Sequence, residues 1–425
     1  MKTTLLLSAT CALALTSGLA AAQDKGVPIG HIADLTGATA SIGKAYAEGV
    51  ADALKYVNST GGTKLAHETV DYAYDAPRAV ATYRRWMSSL KPVAIQGWGT
   101  ADTEALVDTV TKDQVPYFSA SYSGALTDPN KKGPKSTKAA PYNFFYGPSY
   151  SDACRALAQW SAEDWKKKGG QGKPKWVHMG ANHPYPNAPK VACSEYAQEL
   201  GFDVAEPITY SMGPGDFTAQ CLTLKELGVN YAYVANIAGS TTALLNACQT
   251  VGAKVQFVAN VWGYDENVMK AAGQAADGVV VAVRTGSIWT DNNPGMETVR
   301  KISAMSDPSG KTYRQLSYIT GICSAAYMAE AVDWAAKNGG ITGPNIKQAM
   351  YQTANWVPKG LEGVCLPSTW TPDDHRGLLR VMIYQGKVTG PTDAKDVSTL
   401  MSDGTMSLNK VAEIELPRRA EWIGY

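Results

Sequence analysis

The residues best placed to do chemistry stand in six short segments, each following a short apolar run. Asp34-Leu35-Thr36-Gly37, Gly97-Trp98-Gly99-Thr100 and Ser119 to Ser123 make one set. Ala181-Asn182-His183-Pro184-Tyr185, Asn236-Ile237-Ala238-Gly239 and Trp262-Gly263-Tyr264 make the other. Small hydroxyl residues and glycines dominate the first set, aromatic and amide groups the second. Free backbone N–H groups where a loop enters a helix attract anions, and Thr100 with Ser121, Tyr122 and Ser123 is placed to receive a carboxylate. Trp98, Tyr122, Tyr185 and Trp262 can sandwich an apolar or aromatic body, each ring pair adding roughly 0.5–1.5 kcal/mol beyond area burial. The candidate contacts are therefore Trp98, Gly99, Thr100, Ser121, Tyr122, Ser123, Tyr185, Asn236, Ile237 and Trp262. A serine-rich strand end can equally be a helix cap, and a lone tryptophan can belong to a core. The repetition of such residues at several independent strand ends favours a shared site.

The chemistry on offer is recognition rather than turnover. An enzyme needs a nucleophile with its base, paired carboxylates or a metal set. The chain contains no GxSxG, HExxH or GxxxxGK[ST], and no GxGxxG follows its first strand. Asp71 and Asp75 bracket Tyr74 ahead of a helix, which reads as turn and cap, and His183 reads as a surface loop residue. No catalytic residue, metal ligand or cofactor site is assigned.

The elements that position these segments alternate. Val27–Ala33, Thr69–Tyr74, Val93–Gln96 and Val115–Phe118 are short strands. Helices read over Ala45–Val57 and Arg78–Leu90, with another from about Asp102. A Lys-, Pro- and Gly-rich stretch, Thr127–Tyr142, breaks the cadence. It then restarts with helix Ser151–Lys167, strand Trp176–Met179, helix Pro189–Leu200 and strand Val204–Tyr210. Further βα pairs follow to the strand Gly278–Val283. The helices Pro294–Met305, Leu316–Asn338 and Pro344–Thr353 have no strands of their own and should pack back on the first unit. Leu378–Tyr384 reads as a late strand, an edge of the second unit. The fold class is α/β, with two parallel sheets covered by helices.

Lys2, the apolar run Leu5–Leu15 and Ala20-Ala21-Ala22 have the order of a secretory signal peptide, residues 1–22, cleaved before Gln23. The run is shorter than the roughly 18–20 residues that span a bilayer. Net charge is +1, from 39 basic and 38 acidic side chains without strong blocks, so no nucleic-acid partner is expected. Export leaves Cys154, Cys193, Cys221, Cys248, Cys323 and Cys365, an even number suited to disulfides. Six cysteines allow 15 connectivities, and the expectation adopted is neighbour pairing: 154–193, 221–248 and 323–365.

With these strand ends in place, the chain resembles type I periplasmic solute-binding proteins of the branched-chain amino-acid ABC transporter family. The resemblance rests on Gly30 to Gly37 with Gly43 and Gly49, on Tyr74-Asp75 before Pro77, and on Asp216-Phe217-Thr218. It continues with Asn230-Tyr231-Ala232-Tyr233-Val234 and Ala276-Asp277-Gly278. It implies two Rossmann-like lobes joined by three hinge crossings, placed near Tyr146, Val283 and Trp356. Lobe one would be 23–145 plus 284–356, lobe two 146–283 plus 357–395, and 396–425 a C-terminal tail. It also implies a periplasmic importer component with a small-molecule ligand and membrane permease and ATPase partners. A sensor subunit on the same fold is the alternative. In amino-acid binders of this family the loop at Val261-Trp262 tends to carry an acid for the ligand ammonium. Here it reads Asn260-Val261-Trp262-Gly263, with Asp265 and Glu266 further along. That departure favours a small hydrophobic or aromatic carboxylate over a branched-chain amino acid.

Overall fold

A computed structural model describes residues 26–425, so the expected signal peptide lies outside the described residues. The first lobe begins with β1 (Val27–Ala33), α1 (Ala40–Ser59), β2 (Leu65–Asp71), α2 (Ala76–Ser88), β3 (Ala94–Gln96), α3 (Thr100–Asp113), β4 (Tyr117–Ser119) and β5 (Asn143–Phe145). Its strands form one parallel sheet in the order β2-β1-β3-β4-β5. β3, β4 and β5 are buried throughout; β3 and β4 fall on the expected strand segments, whereas β5 is a strand the sequence pattern did not reveal. Pro77 lies in the first turn of α2, and the Asp75 carboxylate accepts from the Arg78 N–H, as turn and cap chemistry requires.

β2 differs from the expected Thr69–Tyr74. Its register with β1 runs from Val27 opposite Leu65 to Ala33 opposite Asp71. Ala73 and Tyr74 then take φ values of 53° and 57°, which no strand residue can hold.

The second lobe continues with α4 (Tyr150–Lys167), β6 (Lys175–Gly180), α5 (Pro184–Asn187), α6 (Lys190–Glu199), β7 (Asp203–Val204), β8 (Ile208–Thr209), α7 (Thr218–Leu227), β9 (Tyr231–Ala235), α8 (Ala238–Thr250), β10 (Gln256–Ala259), α9 (Glu266–Ala272) and β11 (Val280–Val283). The stretch read as one strand, Val204–Tyr210, is two short strands, with Pro207 in the interruption unable to donate to a ladder.

The chain then returns to the first lobe through α10 (Pro294–Ser303), α11 (Leu316–Lys337) and α12 (Gly343–Ala349). α11 packs along α1 at two reciprocal glycines. A Cβ on Gly49 would strike the Tyr318 carbonyl, and one on Gly321 would strike the Tyr46 carbonyl, so both positions exclude larger side chains.

The last elements are β12 (Arg380–Val388), α13 (Val397–Ser402) and β13 (Met406–Glu415). They correct one expectation and refine another. The late strand is not an edge: β12 lies between β11 and β13, antiparallel to both. Residues 396–425, expected as a C-terminal tail, contain β13, which completes a sheet ordered β13-β12-β11-β10-β9-β6-β7, with β8 on β6. Its inward face is Met406, Leu408 and Ile414, and Lys410 and Glu413 face solvent. Such a charged outer face suits an edge strand and masks its apolar alternation. Beyond it the Trp422 ring packs at 5.3 Å from Tyr196 and under the Arg155 guanidinium at 4.2 Å.

Three disulfides, Cys154–Cys193, Cys221–Cys248 and Cys323–Cys365, join α4 to α6, α7 to α8, and α11 to the segment after α12. Three passing segments meet at Tyr146. Its Oη donates to the Arg284 carbonyl (2.8 Å) and accepts from the Leu366 N–H (2.8 Å), while Gly286 N donates to Val364 O (2.8 Å). Trp356 donates from Nε1 to Glu330 of α11, and the chain enters the second sheet only at Arg380.

Candidate functional site

The carboxyl ends of the strands of both sheets converge on one small cavity. In open α/β sheets these ends, near the point where strand order reverses, are where ligands bind. The order β2-β1-β3 places that point at β1 and β3, and their exits supply the first wall.

Asp34, at the end of β1, is fully buried and accepts from the Gly37 N–H (2.6 Å), the Thr39 N–H (2.8 Å) and Thr39 Oγ1 (2.6 Å). With its proton committed to Asp34, Thr39 Oγ1 accepts from Trp98 Nε1 at 2.7 Å. This relay holds the Trp98 indole at the cavity. Gly99 caps α3 where a Cβ would crowd Asp102 and the Tyr72 hydroxyl, so a larger residue there would force these side chains to move.

The second wall comes from the second lobe. Asn260, after β10, accepts at Oδ1 from Tyr185 Oη (3.1 Å) and from the Trp262 N–H (3.3 Å), and donates from Nδ2 to Tyr233 Oη (2.7 Å). Trp262 Nε1 donates to Tyr150 Oη at 3.0 Å. Trp98 and Trp262 then meet across the gap with ring centroids 5.1 Å apart.

Six of the ten expected contacts line this cavity: Trp98, Gly99, Thr100, Tyr185, Ile237 and Trp262. The other four do not. Ser121 Oγ donates to Thr100 Oγ1 (2.8 Å), and its N–H donates to Ser119 Oγ (2.8 Å). Ser123 Oγ donates to Glu104 (2.7 Å). Asn236 spends its amide on Ser211 O and the Ile237 N–H. Tyr122 lies behind the wall, stacked on Trp262 at 5.5 Å with planes 21° apart. These serines therefore shape the wall, their polar atoms already engaged.

The cavity holds about 10 Å³, the space of roughly one water molecule. Thr39, Ile42, Tyr74, Ala120 and Tyr150 complete its lining, and no lining residue is a carboxylate. Asp265 caps α9 through the Asn267 and Val268 N–H groups, and buried Glu266 accepts from Tyr313 Oη (3.2 Å), so both acids of this loop are turned elsewhere. Asp102 lies beside Gly99, fully buried with only Oδ1 bonded, to Tyr72 Oη at 2.8 Å, and burial pushes its carboxyl up to about 7. Among the described residues no group of three or more His, Cys, Asp or Glu side chains could hold a metal ion.

Comparison with known proteins gives this geometry a family. The profile described as periplasmic binding protein matches residues 26–393. The chain belongs to the periplasmic binding protein family. Solved structures share its type I periplasmic binding protein fold. An ABC transporter substrate-binding protein from Aeropyrum pernix is 23% identical with a TM-score of 0.76, over 93% of this chain and 97% of that one. A branched-chain amino acid ABC transporter protein from Thermus thermophilus, with bound valine, is 20% identical with a TM-score of 0.73, over 88% and 98%. A fatty acid ABC transporter substrate-binding protein from Thermomonospora curvata is 18% identical with a TM-score of 0.76, over 92% and 93%. No curated protein matches the sequence.

In this periplasmic binding protein, sequence reading missed Tyr150, Thr39 and Tyr74 as lining residues. Tyr150 opens α4 a few residues past the carboxyl end of β5, a strand the sequence pattern did not reveal. Tyr74 follows β2 in a left-handed turn, stacked on His183 of the other lobe with centroids 5.5 Å apart. An aromatic followed by a helix-capping Asp at that turn was the available signal.

Proposed function

We propose that the protein is the exported, periplasmic solute-binding component of an ABC importer. It closes two lobes around a small hydrophobic or aromatic carboxylate and delivers it to permease and ATPase subunits, without turnover. The observation that carries this reading is the contact of Trp98 with Trp262 over a cavity that no carboxylate lines. Aromatic walls suit a flat or apolar body. An ammonium buried there without a charged partner would cost several kcal/mol, which disfavours an α-amino acid. Family membership supports a binding rather than catalytic role and a periplasmic location. The fatty acid binder among the solved relatives is a precedent for a ligand without an ammonium group.

Closure supplies the signal: a ligand touching both lobes makes more contacts when they meet and shifts the population toward the closed form that a transporter recognises. A thermal-shift screen of amino acids, aromatic acids, short-chain acids and their amides tests the reading. A ligand at 100 times its dissociation constant should add about 2.7 kcal/mol of stability. Shifts with α-amino acids and none with hydrophobic carboxylates would contradict it.

A further inference from the structure

Behind Trp262 lies a buried cation that no carboxylate accompanies. Arg284 is 3% exposed, on the segment that leaves β11 for the first lobe. Its Nε donates to Thr320 Oγ1 at 3.2 Å, its Nη1 donates to the Val261 carbonyl, and its guanidinium lies 4.0 Å over the Trp262 ring. Neither acceptor is an anion, and among the described residues no carboxylate makes an ion pair with it. Asp265 interacts with it electrostatically without forming an ion pair and is committed to capping α9. Burying an unpaired guanidinium costs several kcal/mol, so an anion brought to this position would be strongly stabilised.

Two phenols share the spot. Tyr122 Oη is buried without a hydrogen-bond partner. Tyr46 Oη, also buried, faces Ser324, whose own Oγ donates to Gln96, and makes no hydrogen bond of normal geometry. Burial pushes both phenols up, and the nearby guanidinium partly offsets that. Both are therefore neutral donors at physiological pH. The Trp262 indole fills the space between the three groups, 5.5 Å from the Tyr122 ring and 6.1 Å from Tyr46. Tyr46 stands on α1 and Tyr122 follows β4, both in the first lobe, and Thr320 ties Arg284 to α11 of the same lobe. Trp262 belongs to the second lobe. A motion that drew Trp262 away with the second lobe would leave a guanidinium and two hydroxyls facing the space the indole occupies.

We infer that Arg284, with the hydroxyls of Tyr46 and Tyr122, is the anion anchor of this cleft: it takes the ligand carboxylate, and Trp262 covers it when the lobes close. The inference rests on the reading of the cleft as a hydrophobic-carboxylate site and moves the anchor from the Thr100 and Ser121 hydroxyls, which bond each other, to the hinge side of the cavity.

The test compares benzoate, phenylacetate, isovalerate and octanoate with their primary amides by titration calorimetry. The wild type is measured beside Arg284→Gln, Arg284→Lys and the Tyr46→Phe/Tyr122→Phe pair. The best acid should bind the wild type about 100-fold more tightly than its amide, as expected for a charge-assisted bidentate pair. Arg284→Gln should remove that preference and leave amide affinity within about threefold, a pattern that loss of packing alone does not produce. Arg284→Lys should keep part of the preference. The phenylalanine pair preserves ring packing and should weaken acid binding about tenfold, so it carries the test if Arg284→Gln fails to fold. Equal binding of acid and amide by the wild type, or unchanged acid affinity in both Arg284→Gln and the phenylalanine pair, would overturn the anchor while leaving the cleft reading intact. Binding of none of the eight compounds would overturn the hydrophobic-carboxylate reading and the anchor with it.

Discussion

Trp98 and Trp262 come from different sheets, yet their ring centroids lie 5.1 Å apart with planes inclined at 56°. Each indole is oriented by a different partner, Trp98 by Thr39 Oγ1 and Trp262 by Tyr150 Oη. Both partners belong to segments that also line the cavity. The two rings are thus set independently, each through its own hydrogen bond.

Removing either ring should weaken ligand binding more than it weakens the fold. Trp98→Ala and Trp262→Ala should each reduce affinity for the best hydrophobic carboxylate by at least about tenfold, while Trp→Phe at either position should recover most of it. Calorimetry on all four variants, with melting curves to confirm folding, checks this. Unchanged affinity in both alanine variants would remove the pair from the site.

The α1–α11 crossing should tolerate no side chain. Gly49→Ala or Gly321→Ala places a methyl against a backbone carbonyl of the other helix. Such overpacking costs about 1–3 kcal/mol, here at the upper end because backbone must move. Urea titration should show a lower midpoint with an unchanged slope.

Asp102 should make the protein less stable as pH rises from the acidic side. Its carboxyl is pushed up to about 7 by burial, whereas an unfolded Asp ionises near pH 4. The contribution is fully present below about pH 4 and is lost as pH rises through about 7. Asp102→Asn keeps an acceptor for Tyr72 Oη and removes the ionisation. It should gain about 2–4 kcal/mol at pH 8 relative to its effect at pH 4. Denaturant titrations at the two pH values measure the difference.

Reduction of Cys323–Cys365 should matter out of proportion to its size. It closes a 42-residue separation and pins α11 beside the segments that meet at Tyr146. The double Cys→Ser variant should lose about 3–4 kcal/mol, the loop-closure magnitude for such a span. It should also broaden the range of lobe angles seen by small-angle scattering.

Much of this architecture is legible in the amino-acid sequence. Strands buried on both faces leave unbroken apolar runs, and loops at their carboxyl ends expose glycines, hydroxyls and rings, so the cavity wall announced itself at Trp98, Tyr185 and Trp262. What escaped reading depends on contacts between distant segments. β13 hides its apolar face behind Lys410 and Glu413, and only pairing with β12 reveals it. Tyr74 lines the cavity through a left-handed turn whose one mark in the sequence is the helix-capping Asp75 that follows it. Ser121 and Ser123 read as free hydroxyls because their partners, Thr100 and Glu104, sit about 20 residues away. Arg284 looks ordinary in the chain and gains meaning only from the aromatic groups around it and the lack of a carboxylate beside it.

The most direct test is a crystal structure of the complex with the tightest-binding compound of the acid and amide panel. The ligand body should lie between the Trp98 and Trp262 rings in van der Waals contact with both. Density for the ligand outside the interlobe cavity, or a closed complex in which the two indoles touch no ligand atom, would contradict the account.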